Sequence, residues 1–309
     1  MSTATPLTEG HAFTKCLYGL GKTQIPSIDR VNNYGLQGSG HVWTARGLHD
    51  DFYVVKSIKP KQLGFFKKLI DALGEFTPAS FLASLEQKNE IFMYSRFVPD
   101  KKKCMDLYDL IKQKHEDHPI WIPHPELYWS ILYCVHRMHS KGYVHRDVSI
   151  ENIVVTCQPD GRWVVQIIDL EDSSPQCVEV DGVMSPNITY EVRVGKPMYM
   201  APELMDVIIQ ESKYRPQLIP TDLWSLGCVF LVLLGVYWKP LDHIHQQLLK
   251  SGCDDSFLNE YLSCKMKKAI ENSICLQNIV QVTKSLLQVN PQNRPSLDTI
   301  LRRLSPISE

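Results

Sequence analysis

The sequence predicts an α+β fold in two lobes, a small β-rich one followed by a larger helical one. Between Tyr34 and Val98 the aromatic and β-branched residues read as strands around a single helix. Beyond Pro99 the apolar spacing turns mostly helical, and no internal repeat is visible.

Residues 1–30 are expected to form an N-terminal extension, with weak periodicity. Its Gly19-Leu20-Gly21-Lys22-Thr23 tempts a phosphate-loop reading, but such a loop needs a glycine where Cys16 stands. The first lobe is expected over 31–98. From Tyr34 to Ser57 it reads as strand, glycine-rich turn, strand, short loop and strand, with Val42–Ala45 and Phe52–Val55 carrying the strand-forming residues. Gln62–Gly74 places Phe65, Phe66, Leu69, Ile70 and Leu73 at helical spacing, and Thr77-Pro78 breaks the pattern. Phe81–Leu85 and Ile91–Val98 then read as a hairpin joined through Gln87-Lys88-Asn89.

The second lobe is expected over 99–309. Met105–Lys114 and Glu126–His139 read as amphipathic helices, separated by a Pro/His-rich loop. Tyr143–His145, Ile153–Val155 and Val164–Ile168 read as short strands around a site. A long polar loop leads to Asp222–Gly235, a strongly apolar helix, and further helices follow.

Of the 309 residues 44% are hydrophobic and 22% charged, the profile of a soluble globular protein. A formal net charge of −1 gives no reason to expect nucleic acid or an anionic membrane as partner. The nine cysteines contain no C-x-x-C pair and are expected to be reduced thiols. Residues 1–12 lack the apolar stretch of a signal peptide, and the longest apolar run, Cys228–Trp238, is too short to span a bilayer. The expected setting is cytoplasmic, with the nucleus open.

The chemistry concentrates in His145-Arg146-Asp147-Val148-Ser149-Ile150-Glu151-Asn152. Seventeen residues after Asn152 comes Asp169, in Ile167-Ile168-Asp169-Leu170-Glu171. Val194–Glu203 ends in Met200-Ala201-Pro202-Glu203, Asp222-Leu223-Trp224-Ser225-Leu226-Gly227 follows, and Arg294 sits in Asn290–Pro295. In this order the segments resemble the protein kinase family, whose catalytic loop reads H-R-D-x-x-x-x-N, and the resemblance runs from about Tyr34 to Leu304.

That resemblance implies a bilobal kinase-like fold, ATP and Mg2+ as cofactors, and a protein substrate phosphorylated on Ser or Thr. It makes Asp147 the catalytic carboxylate, Asn152 and Asp169 the metal ligands, and Lys56 the lysine on the α- and β-phosphates. Gly35, Gly38, Gly40 and Val42 would form the loop over the nucleotide, with Gln37 at the middle glycine position. Ser95 would stand beside the adenine, with Arg96 and Val98 bonding it through their backbones. Glu203 and Arg294 are expected to form a structural ion pair.

Four departures from the family pattern are legible. The helix that should supply a partner for Lys56 has Lys68 at the matching position, leaving Asp71 or Glu75 to serve. Glu171 stands where the D-F-G motif has its glycine. Ser149 replaces the lysine two residues after the catalytic Asp, and Lys196 replaces a threonine of the activation segment. The last two are compatible with one relocated cation or with loss of catalysis in a pseudokinase acting as a nucleotide- or partner-binding scaffold. Thr189 and Tyr190, next to Glu191, are the candidate activation-loop phosphate acceptors, with Arg146 as the docking cation.

Overall fold

The computed structural model describes residues 15–19, 31–33, 42–46, 52–84, 91–97, 104–117, 122–158, 162–187, 191, 193–209, 216–236, 255–266 and 274–304. The chain divides into two compact units. The first takes its described residues from Met1–Met105, Thr156–Arg162 and Gln166–Glu171, and the second from Asp106–Val155, Trp163–Val165 and Asp172–Glu309.

The first unit is built on a six-stranded sheet of β1 (Lys15–Gly19), β2 (Val31–Asn33), β3 (Val42–Arg46), β4 (Phe52–Ile58), β5 (Ala79–Ser84) and β6 (Ile91–Phe97). Its order is β1-β5-β6-β4-β3-β2, and every neighbouring pair is antiparallel. The segment expected as an extension therefore contributes an edge strand, with β1 joined to β5 through an irregularity between Cys16 and Tyr18. On β4, Tyr53 and Val55 are buried while the intervening Val54 and the following Lys56 are half-buried, as the two-residue period of a strand requires. Lys56 stands opposite Val42 on β3 and Met93 on β6.

Among the described residues one α-helix, α1 (Leu63–Leu73), accompanies this sheet and buries Phe66, Leu69, Ile70 and Leu73. That spacing puts all four on one face and leaves Lys68 and Asp71 exposed. The helix ends at Gly74, whose φ of 56° few other residues adopt cheaply.

The remaining strands are β7 (Cys104–Asp106), β8 (Tyr143–Val144), β9 (Ile153–Cys157), β10 (Trp163–Ile167), β11 (Ser174–Pro175), β12 (Cys177–Val180) and β13 (Val183–Pro186). Three of them form a sheet in the order β10-β9-β7, and β11 pairs antiparallel with β8. The expected long polar loop differs from the structure, because β12 and β13 form a hairpin. Asp181 and Gly182 turn it with φ of 51° and 77°, the double left-handed turn that matches strand twist.

Among the described residues the helices of the second unit are α2 (Leu107–Asp117), α3 (Pro125–Ser140), α4 (Pro202–Ile209), α5 (Leu218–Leu233), α6 (Asp255–Lys265), α7 (Ile274–Leu286) and α8 (Leu297–Leu304). The centre is α5, buried at every residue from Thr221 to Leu233 and packed against α3 and α7. It begins one turn before the sequence suggests. Pro220 falls in that first turn, where its missing N–H costs no intrahelical bond. Among the described residues no helix is long and apolar enough to cross a membrane.

Candidate active site

The loop from His145 to Asn152 leaves β8 and closes in a short 3-10 turn, Ile150–Asn152. Arg146 has a φ of 73°, a left-handed conformation that costs a side-chain-bearing residue roughly 1–3 kcal/mol. The compensating contact comes from α5. The buried Asp222 carboxylate accepts the N–H of His145 on Oδ2 and of Arg146 on Oδ1, each at 2.8 Å. His139 Nε2 reaches the same Oδ2 at 3.0 Å. Burial alone would raise the Asp222 carboxyl, but the hydrogen bond and charge of His139, with those of His145, hold it below the usual carboxylate range. His145 Nδ1 accepts the N–H of Asp147 at 3.2 Å, so the ring also braces the loop. The Arg146 side chain donates to the Asp172 carbonyl at 3.1 Å.

Three donors fix the Asp147 carboxylate. Asn152 Nδ2 donates to Oδ2 at 2.7 Å and to the Asp147 backbone carbonyl at 2.8 Å. The Lys196 backbone N–H donates to Oδ1 at 3.0 Å, and its ammonium donates to Oδ2 at 3.0 Å. The same ammonium donates to Ser149 Oγ at 2.9 Å, on a serine that is fully buried. Glu151 Oε2 lies 3.9 Å from it. Sequence positions 149 and 196 thus meet at one cation.

Gly195 makes that approach sterically feasible. Its φ is 92°, and a Cβ there would lie 2.7 Å from the Arg146 carbonyl oxygen and 3.5 Å from Asp147 Oδ1.

A second constellation lies in the first unit. Lys56 donates to Asp169 Oδ1 at 2.6 Å and lies 3.1 Å from Glu171 Oε1. Burial opposes the Lys56 charge, but Glu171 and Asp169 outweigh it and raise the ammonium above the ordinary lysine range. Burial, then a hydrogen bond shared with Asp169, pushes the Glu171 carboxyl up to about 7 against the pull of Lys56. The expectation that Asp71 or Glu75 partners Lys56 is corrected here. Both are exposed, and among the described residues the ion pairs of Lys56 are with Asp169 and Glu171. Glu75 instead offers its backbone carbonyl to Gln166 Nε2 at 2.8 Å.

Each unit carries oxygen donors of the hard kind. Magnesium takes one or two protein oxygens and completes its shell with water and phosphate. In the first unit Asp169 presents a carboxylate beside Lys56; in the second unit the Asn152 amide nitrogen is engaged by Asp147. Glu171 Oε2 is buried without a hydrogen-bond partner beside Asp169. No cluster of three His, Cys, Asp or Glu occurs among the described residues, so a wholly protein-built metal cage is not found there.

Ser95 is half-buried on β6, opposite Val54 and Ala79. The neighbouring Arg96 N–H donates to the Pro78 carbonyl at 2.9 Å. Val42 opens β3. Gly35, Gly38, Gly40, Val98, Thr189 and Tyr190 lie outside the described residues.

Arg294 has no exposed side-chain surface, and all five of its N–H groups are used. Nη1 and Nη2 bond Glu203 Oε1 and Oε2 at 2.6 and 2.8 Å, and the Pro220, Val289 and Gln288 carbonyls accept the other three. Its guanidinium also lies 5.2 Å from the Trp224 ring centre.

Comparison with known proteins gives a consistent result. The family model described as protein kinase domain matches residues 68–304, a span that begins after Lys56. Citron rho-interacting kinase of Rattus norvegicus is 23% identical over 275 residues, covering 82% of this chain and 12% of that protein. Serine/threonine-protein kinase Nek9 of Xenopus laevis is 25% identical over 291 residues, covering 89% of this chain and 26% of that protein. Hormonally up-regulated neu tumor-associated kinase homolog B of Xenopus laevis is 25% identical over 218 residues, covering 70% and 30%. The chain spans less than a third of the length of each of these relatives.

Proposed function

The chain belongs to the protein kinase domain family, and from that premise we propose that it is an active kinase moving the γ-phosphoryl group of ATP onto a protein Ser or Thr hydroxyl. The observation that carries this reading is the three-donor grip on Asp147. An ionised carboxylate has about four acceptor sites, so three donors leave one, on Oδ1, for the substrate hydroxyl. The hydroxyl oxygen bonds the γ-phosphorus, the bond to the bridging β–γ oxygen breaks, and the hydroxyl proton passes to Asp147.

Lys196 is the cation of this loop. Two of its ammonium N–H groups are engaged by Asp147 and Ser149, which aims the group and leaves a third for the transferring phosphoryl oxygen. Lys56 holds the α- and β-phosphates. Asp169 and Asn152 would hold magnesium, which when bound neutralises charge on the phosphates. Ser/Thr preference is supported by Gly195-x-Pro197-x-Tyr199-Met200 and by relatives carrying serine/threonine-protein kinase in their names.

The decisive experiment is Asp147→Ala in a phosphoryl-transfer assay beside an ATP-binding assay. Turnover should fall by about 10²–10⁴ while ATP binding is largely kept. Binding without transfer by the wild-type protein would identify a pseudokinase instead.

A further inference from the structure

Lys56 sits in the middle of β4, where the flanking β3 and β6 fix its backbone but not its four-carbon side chain. An ammonium on so flexible a stem needs an anchor to be aimed. The residues of α1 and the turn after it supply no ion pair to it among the described residues. What reaches it is the chain just after β10.

There the backbone turns sharply. Asp169 takes a φ of 63°, Leu170 is buried, and Leu170–Asp172 form a 3-10 turn. Glu171 is absent from the residues with positive φ, so its backbone asks for no glycine and accepts a long side chain without strain. That turn brings Glu171 Oε1 to 3.1 Å from Lys56 Nζ, on a side chain with less exposure than that of Asp169 (31% against 40%). Two carboxylates two residues apart thus face one ammonium.

We propose that Glu171 is the positioning residue of Lys56, the carboxylate that anchors its ammonium in place of one from α1. The inference rests on the kinase reading for what Lys56 then does, which is to meet the nucleotide phosphates. Its logic is a division of labour. Asp169 is the carboxylate offered to magnesium, and a lysine held by Asp169 alone would share its sole anchor with the metal. With Glu171 at its other side, the ammonium keeps a counter-charge of its own.

The test titrates a fluorescent N-methylanthraniloyl ATP against the whole chain, in EDTA and then in magnesium. Glu171→Gln and Glu171→Gly should each weaken binding about tenfold in both conditions, and Asp71→Asn with Glu75→Gln should leave it unchanged. A loss seen only with magnesium would make Glu171 a metal ligand and overturn the proposal. So would unaltered affinity in the Glu171 variants, weakened affinity in the Asp71/Glu75 variant, or no nucleotide binding by the wild type. A nucleotide-free arm reads the contact itself, through the urea unfolding constants of Lys56→Met, Glu171→Gln and the double variant. The two changes should be non-additive by about fivefold, and additivity sinks the pair. Neither arm requires phosphoryl transfer, so a wild type that binds ATP but transfers nothing defeats the kinase activity and leaves this assignment standing.

Discussion

Lys196 grips Asp147 with two chemically different groups, its ammonium on Oδ2 and its backbone N–H on Oδ1, both at 3.0 Å. The backbone bond survives any substitution except proline, whereas the ammonium does not. Lys196→Thr should therefore preserve ATP affinity and cut turnover by about 10²–10³, the worth of one positioned charge in a water-poor site. Lys196 Nζ lies 2.9 Å from Ser149 Oγ, so a lysine rooted at 149 has its ammonium close to the same spot. Ser149→Lys combined with Lys196→Thr should recover much of the loss in a steady-state assay. Two independent changes would simply add in free energy, and a double variant no better than the single refutes the relocated cation.

Gly195 is the next test of the same contact. Gly195→Ala adds a Cβ 2.7 Å from the Arg146 carbonyl oxygen at a φ of 92°. The segment must retreat, and a displacement of about 1 Å at a catalytic group can cost on the order of 10²-fold in rate. The turnover number should fall by that order while the thermal midpoint moves by only a few degrees, since the clash is local. A normal turnover number would show that the approach of Lys196 to Asp147 is dispensable.

The adenine side of the site is tested at Ser95. On the kinase reading Ser95 would stand beside the purine, and a half-buried serine there would leave room behind it, so ATP analogues carrying a benzyl group on N6 should compete with ATP in the unaltered protein. Ser95→Phe fills that room and should weaken the bulky analogue by about ten- to a hundredfold, with ATP itself little affected. Equal analogue binding by both forms would mean that the register of β6 against the nucleotide is wrong.

Arg294 carries a stability prediction. Lysine has three N–H donors against the five that Arg294 uses, and it cannot form the paired bonds to Glu203. Arg294→Lys should cost about 3–5 kcal/mol, the range for breaking a buried ion pair, read from chemical denaturation. Turnover per folded molecule at low temperature should change little, because the guanidinium touches neither Asp147 nor Lys196. A large kinetic effect with unchanged stability would reverse that assignment.

Much of the site was legible because it is local. His145 to Asn152 sits between two short strands whose β-branched residues announce them, and the Asp147–Asn152 bond joins residues five apart. The Glu203–Arg294 pair spans 91 residues, yet it too was readable, since both partners stand in recognisable motifs. The partner of Lys56 was not legible. It arrives from 115 positions away, whereas the resemblance pointed only to α1 and the turn after it, where Asp71 and Glu75 are exposed. The β12–β13 hairpin carries a short sequence signal, Asp181-Gly182 between Val180 and Val183. Its strands are four residues each and partly polar, which makes the alternation short and easily taken for loop. At the other end, β1 is a five-residue strand in a glycine- and lysine-containing stretch, and only its pairing with β5 gives it away.

The hold of Asp222 on the left-handed Arg146 has a consequence for synthesis. The two residues are 76 positions apart, so a chain growing at about 5–20 residues per second makes His145, Arg146 and Asp147 roughly 4–15 s before the carboxylate that sets their geometry. Until then the loop has no reason to leave ordinary backbone conformations. A nascent chain that stops short of α5 carries Lys56, Asp147, Asn152, Asp169 and Lys196 in full, yet it lacks the clamp that shapes the loop around Asp147. On the kinase activity proposed above, the order in which the residues are made would keep the emerging polypeptide from premature phosphoryl transfer.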